Sequence, residues 1–403
     1  MTAEDLTTLR GIEVADVLKA GHLAATLQRT SAGVAFAYTD DYLLTGGPAV
    51  ATSLPLSAEV RISSAGSVPP FFAGLLPEGR RLTALRDAAK TSLDDELSLV
   101  LAIGGNTVGD VRVVPHGERP PPPPPSITWP AGDDIRFADI LKLSGLLDRR
   151  GMAGAQEKAS AAMITVPATA AGQEAILKLT PPEYPHLVDN EAWFLGLARK
   201  AGFIVPAFQV VTDGAGERGL LVARFDRRII DGLTTCYAVE DAAQVMGIYP
   251  ADKYRVTSEQ VATALIERCQ ARQVAAREIM RSLLFAWLTG NGDLHAKNIS
   301  IINLGEEWRM APAYDLPSSL PYGDETMALT LTGRTTDLSR KAFMEFADSI
   351  SLPELAAKRA IDEMLIATEP ALEVFTRNVE AFTGPRNEAA RAQLEYRRRL
   401  LRP

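Results

Sequence analysis

Apolar positions recur at helical spacing over residues 274–288, where Ile279, Leu283, Leu284, Trp287 and Leu288 fall on one face, and Gly290 and Gly292 then break the helix into a loop. The period changes beyond that loop. Ile299-Ser300-Ile301-Ile302 alternates like a strand, residues 303–306 turn the chain, and Trp308-Arg309-Met310 brings it back to Pro312-Ala313-Tyr314-Asp315. The pattern predicts a hairpin that returns Asp315 to the side of the loop. Further strands are predicted over residues 34–38, 111–114, 161–166, 175–179 and 219–223, with helices over 137–147 and within 188–198. Another helix begins at 240–247, and from Ser258 the chain reads as mainly helical apart from the hairpin.

Pro120 to Pro125 is an unbroken run of six prolines, which supports neither helix nor central strand and reads as a polyproline II spacer. It sets off an α/β unit over residues 1–118 from a linker over 119–128 and a larger remainder. In the first unit, Pro69-Pro70-Phe71-Phe72-Ala73-Gly74-Leu75-Leu76-Pro77-Glu78-Gly79-Arg80 supplies core or interface side chains, and Gly104, Gly105 and Gly109 mark turns.

Composition narrows the function. The chain has 403 residues and is 46% hydrophobic, as expected of an ordinary soluble globular protein with two or three cores. A net charge of −8 argues against broad non-specific nucleic-acid binding, so any DNA contact is local or made through a partner. Cys236 and Cys269 are the only cysteines and have no metal-ligand spacing, which suits a cytoplasmic protein. The acidic start, Met1-Thr2-Ala3-Glu4-Asp5-Leu6, does not read as a signal peptide, and the best apolar run, 97–105, is too short to span a bilayer.

Candidate chemistry is concentrated in the loop. Asp293, His295, Lys297 and Asn298 place a carboxylate, an imidazole, an ammonium and a carboxamide within six residues. Phosphoryl transfer from ATP needs a carboxylate to orient an acceptor hydroxyl, and oxygen ligands to hold Mg²⁺ against the phosphates. Asp293 fits the first task as the catalytic base; Asn298, five residues on, and Asp315, beyond the hairpin, fit the second as metal ligands. The plain alternative is that Asp, His and Asn only form the turn. His295 reads as a brace for the loop. Lys297 either reaches the transferred phosphate or is an ordinary solvated lysine. Upstream, Lys178 lies inside the apolar strand 175–179 and needs a partner, for which Glu191 at the start of a helix is the natural candidate. Gly151 and Gly154 precede a strand, where a glycine-rich lid over phosphates would sit. Arg227 and Arg228 read as a solvated surface pair, and the arginines of 396–402 as favourable charge at a helix C-terminus.

The loop resembles that of aminoglycoside phosphotransferases, and more closely the HipA family of serine/threonine kinase toxins. Asp293-Leu294-His295-Ala296-Lys297-Asn298, Tyr314-Asp315, Ala153-Gly154-Ala155-Gln156-Glu157-Lys158, Val188-Asp189-Asn190-Glu191 and the Phe71-Phe72 segment all appear in HipA order. That resemblance implies an α+β fold of the two-lobed, protein-kinase-like kind, with a small lobe over 129–225 and a mainly helical large lobe over 226–403. It implies ATP and Mg²⁺ as cofactors. The nucleotide would be held by Gly151, Ala153, Gly154, Ala155, Gln156, Lys178 and Glu191, with Ala223, Arg224 and Phe225 lining the adenine site mainly through backbone groups and an aromatic ring. Asp293, His295 and Lys297 would form the catalytic set. The implied partners are a HipB-like helix-turn-helix antitoxin, operator DNA reached mainly through it, and a protein substrate of translation such as an aminoacyl-tRNA synthetase. One departure stands out: Gly151 occupies the position where the family carries an autophosphorylated serine, so that switch cannot operate at this residue. A small-molecule kinase and a non-catalytic, ATP-binding co-repressor remain open as alternatives.

Overall fold

The computed structural model describes residues 3–120, 127–130, 135–143, 163–305, 307–374 and 385–402. Five antiparallel strands form the first sheet: β1 (Val14–Lys19), β2 (His22–Thr30), β3 (Gly33–Tyr38), β4 (Arg61–Ser63) and β5 (Val111–Pro115), in the order β4-β3-β2-β1-β5. Strict alternation along β3 turns Val34, Phe36 and Tyr38 inward. There Phe36 meets Phe72 of the helix Pro70–Leu75 at 5.8 Å between ring centroids. The Phe-Phe segment thus closes the core of this N-terminal unit.

A second five-stranded sheet comprises β6 (Ile127–Trp129), β7 (Ile164–Ala170), β8 (Gln173–Leu179), β9 (Phe208–Thr212) and β10 (Arg218–Ala223), in the order β6-β7-β8-β10-β9. Its first strand begins earlier than the linker reading allows. Ile127 and Thr128 pair in parallel with Ala168 and Thr169, because the alternating Ile-Thr-Trp stretch that follows the prolines can add an edge strand. One face buries Leu177 and Leu221 with Phe137, and the other buries Leu220 and Val222 against the helix Leu187–Lys200.

The chain then forms a hairpin of β11 (Arg227–Ile230) and β12 (Leu233–Cys236), followed by β13 (Val239–Asp241). The latter pairs with β14 (Ser300–Asn303), and β14 pairs with β15 (Trp308–Met310), which is the hairpin read from the sequence. Helices make up most of the remainder. Ile279, Leu283, Leu284, Trp287 and Leu288 of the helix Arg272–Thr289 are all buried.

Two of the C-terminal arginines do more than place charge at a helix end. Arg397 lies 4.2 Å over the Trp287 ring and donates to the Trp287 carbonyl at 3.0 Å, and Arg398 donates to Thr368 Oγ1 at 3.0 Å. Both are buried, because carbonyls near the end of a helix lack intrahelical donors and a guanidinium can supply them. Among the described residues no helix is long and apolar enough to cross a membrane.

Candidate active site

The helix Arg272–Thr289 ends at Gly290, which has a φ of 74°, the left-handed region that glycine enters without strain. Gly292 is required for a different reason. A Cβ there would lie 2.6 Å from Ser319 Oγ and 2.7 Å from the Thr326 carbonyl, so the loop packs flush against the segment that follows Asp315. Ser319 Oγ accepts from the Gly292 amide at 2.9 Å and donates to the Gly290 carbonyl at 3.0 Å, holding both turns in place.

Within this cradle the polar side chains tie one another down. Asn291 is fully buried; its Oδ1 accepts from the Asp293 amide at 2.9 Å and its Nδ2 donates to the Asp315 carbonyl at 3.2 Å. Asn298 Nδ2 donates to the Asp293 carbonyl at 2.8 Å, which fixes the carboxamide plane and leaves Oδ1 as its acceptor. His295 Nδ1 accepts from the Lys297 amide at 3.2 Å, so the imidazole braces the loop. Tyr254 stands edge-on to that imidazole at 4.9 Å and donates its hydroxyl to Asp293 Oδ1 at 2.8 Å. Burial of this hydroxyl, together with the neighbouring Asp293 charge, raises its pKa and keeps it a donor.

The second cluster crosses between the lobes. Lys178 on β8 donates to Glu191 Oε1 at 2.6 Å and to Asp315 Oδ1. One ammonium thus serves two carboxylates. It stays protonated, because the two negative charges overcome the burial that would lower its pKa. Glu191 is pushed up to about 7, first by burial; Lys178 pulls it down, and Asp315 adds to the rise. The helix bearing Glu191 is fixed by Asn190, which exchanges hydrogen bonds of 2.9 Å with the Ser318 carbonyl and amide. Asp315 itself sits at a φ of 54°, held on one side by Asn291 and on the other by Lys178.

Asp293, His295, Asn298, Lys178, Glu191 and Asp315 therefore belong to one connected network. Phe225 joins its edge by stacking on Tyr314 at 5.7 Å. Ala223 ends β10, and its amide is taken up by the Ala207 carbonyl at 2.8 Å rather than by the network. Two expected site residues turn their side chains elsewhere. Arg224 directs its guanidinium at Asp226, the Asn106 carboxamide and the Thr107 carbonyl, at 2.6, 3.1 and 2.8 Å. Lys297 donates to the Gly74 carbonyl at 2.6 Å. Arg227 and Arg228 are not a matched pair either. Arg227 is largely buried, donating to the Thr107 carbonyl at 2.8 Å and pairing with Glu174 at 2.5 Å, and only Arg228 is exposed. Burial would raise the Asp226 pKa, but Arg224, Arg227 and the Gly109 amide hold it below the usual carboxylate range.

Sequence reasoning passed over Asn291 and gave Tyr254 and Asn190 no role of their own. Asn291 had a signal, an Asx residue two positions before the candidate base. Tyr254 lies 39 residues from Asp293, and no local pattern joins the two. A cavity of about 350 Å³ backs the hairpin, walled by Phe203, Phe285, Met310, Asn298 and Tyr314, but none of Lys178, Glu191, Asp293 and Asp315 lines it.

Residues 151–372 match the family model described as the HipA-like C-terminal domain, and residues 15–114 match the HipA N-terminal domain. The chain belongs to the HipA family. The Sinorhizobium fredii protein named "Putative kinase Y4dM" is 32% identical over 319 residues, 73% of each chain. The serine/threonine-protein kinase toxin HipA of Shewanella oneidensis is 26% identical over 356 residues, 78% of each. In structure, the fold matches a chain of the S. oneidensis MR-1 complex of HipA, HipB and operator DNA with a TM-score of 0.75, covering 96% of this chain and 97% of that one at 21% identity. This HipA-family chain accordingly has the kinase-like two-lobed fold behind an N-terminal domain. The HipA lid motif, with Gly151, Ala153, Gly154, Ala155 and Gln156, lies outside the described residues.

Proposed function

We propose that this HipA-family chain is an ATP- and Mg²⁺-dependent serine/threonine protein kinase that acts as the toxin of a toxin–antitoxin module. The carrying observation is the convergence of Lys178, Glu191 and Asp315 on one ion cluster, joined through Asn291 to the loop that holds Asp293 and Asn298. That inventory fits phosphoryl transfer, which depends on positioning and charge.

The donor chemistry also fits magnesium. Asn298 presents a carboxamide oxygen and Asp315 a carboxylate that is 32% exposed. Among the described residues no group of three or more His, Cys, Asp or Glu is placed to hold a metal unaided. Mg²⁺ at these two oxygens would complete its shell with phosphate and water, the usual arrangement in phosphoryl-transfer sites. When bound, it supplies positive charge to the phosphate oxygens.

Lys178, kept charged by Glu191, attracts the α/β phosphates. Asp293, oriented by Tyr254 and Asn291, accepts the proton of the attacking hydroxyl as oxygen bonds to the γ-phosphorus and the bond to the β-phosphate oxygen breaks. Asn298 keeps Asp293 in register through its main-chain carbonyl. The acceptor is proposed to be a serine or threonine of a translation-related protein, such as an aminoacyl-tRNA synthetase, and the neutralising partner a HipB-like antitoxin that brings the chain to operator DNA in the cytoplasm. Those assignments rest on family membership and on the HipA–HipB complex as the structural match.

Incubating the protein with γ-labelled ATP and cell lysate, with Mg²⁺ or with EDTA, tests the reading. Label on a protein band, lost with EDTA, is the expected outcome. Label only on small molecules would assign a small-molecule kinase, and no label despite nucleotide binding would assign an ATP-binding co-repressor.

A further inference from the structure

Lys297 stands one residue before Asn298 in the catalytic loop, yet its ammonium is committed to another domain. It donates to the Gly74 carbonyl at 2.6 Å, lies 3.3 Å from Asp241 Oδ2 and 3.8 Å from Glu78 Oε1, and is 11% exposed. Gly74, near the end of the helix Pro70–Leu75, and Glu78, the residue before the helix Gly79–Ala89, both belong to the N-terminal domain. Glu78 also pairs with Lys253, the neighbour of Tyr254, which in turn holds Asp293. Close contact enforces the approach. A Cβ on Gly74 would lie 2.7 Å from Gln244 Cγ, while Gln244 Nε2 donates to the Phe71 carbonyl at 3.0 Å. The other end of Lys297 is fixed as well, since its carbonyl accepts from the Tyr314 hydroxyl at 2.9 Å.

We propose that Lys297 and Glu78 are positioning residues through which the N-terminal domain holds the catalytic loop in its working shape. The inference rests on the reading of this loop as catalytic. A buried ammonium needs partners, and a main-chain carbonyl is one that no rotamer change withdraws, so the loop is registered against the neighbouring domain. The N-terminal domain is then part of the kinase's catalytic apparatus, and movement of its Phe71–Glu78 segment loosens Asn298 and Asp293 together.

The test compares full-length wild type, Lys297→Met, Lys297→Arg and Glu78→Gln. Amide hydrogen exchange over residues 291–303 in nucleotide-free protein should quicken in Lys297→Met and Glu78→Gln and return toward wild type in Lys297→Arg. Charge-assisted hydrogen bonds of this kind correspond to roughly 10- to 100-fold in rate, so kcat in Lys297→Met should fall in that range while KM for ATP stays within about twofold. Should Lys297→Met fail to fold, Glu78→Gln carries the same two readouts. Unchanged exchange together with a raised KM for ATP would show that Lys297 acts on the nucleotide directly, and would overturn the proposal; so would unchanged exchange and unchanged kcat. If wild type transfers no phosphate, the kinase reading fails by itself, and the exchange data still decide whether the domain contact orders the loop.

Discussion

Lys178 and Lys297 are equally buried, at 11% side-chain exposure each, and each lies between two carboxylates. They do different work. All the partners of Lys178 belong to the kinase lobes, and one of them, Asp315, is a candidate metal ligand whose carboxylate a cation can share. Lys297 has instead a main-chain carbonyl as its nearest partner, 223 residues away in the N-terminal domain. The difference teaches that burial and charge pairing do not by themselves mark a lysine as nucleotide-binding. The side of the loop that its partners occupy does.

The most severe break in this comparison comes at the residue both lysines frame. Asp293→Asn keeps the side-chain volume and an acceptor for Tyr254, yet removes the proton acceptor. Phosphotransfer should drop by about 10²–10⁴-fold, with the melting temperature and nucleotide affinity close to wild type. Turnover that survives in a radiolabel assay would remove Asp293 from the role of base.

Next in size is the Lys178 cluster. Lys178→Met leaves Glu191, 1% exposed, without its cation, and breaking a buried pair this way costs about 3–5 kcal/mol. The variant should melt at lower temperature and bind ATP weakly. Without Lys178 the Glu191 pKa rises further and the buried carboxyl must take up a proton; adding Glu191→Gln removes that cost, so thermal stability should recover in the double variant while ATP affinity does not. Recovery of both would mean that Lys178 is structural only, which would collapse the contrast with Lys297.

How much of this was legible beforehand follows from the range of the interactions. The loop 289–300, the hairpin and Asp315 are local, so glycine breaks and a change of period revealed them, and Lys178 with Glu191 followed from the cost of an unpaired ammonium. The reach of Lys297, Arg224 and Arg227 into the N-terminal domain was not legible, because Gly74, Thr107 and Asn106 meet them with main-chain or amide groups that carry no charge signature. Arg397 is a related case. Its charge at a helix end was legible, but nothing local to it showed that the Trp287 ring lies beneath it. Ile127 and Thr128 were hidden by the prolines before them, which made a strand look like the end of a linker.

The smallest effect should come from Asp241, on the Lys297 side. Its Oδ1 accepts from the Gln244 amide at 2.8 Å, capping the helix Ala242–Met246, and its Oδ2 lies 3.3 Å from Lys297. Burial pushes this carboxyl above the usual range, while Lys297 draws it back. Asparagine caps helices about as well as aspartate, so Asp241→Asn keeps the cap and deletes only the charge. Deleting it also relieves the desolvation of a buried carboxylate, and the two effects oppose each other. Because the Gly74 carbonyl is the closer anchor, Lys297 should keep its place, and kcat should change only a few-fold. Asp241→Ala removes the cap too, which costs about 0.5–2 kcal/mol. Thermal melts and kcat measured on both variants separate these contributions. A large loss of kcat in Asp241→Asn with unchanged stability would show that the carboxylate, and not the carbonyl, registers the loop, making Lys297 a closer counterpart of Lys178.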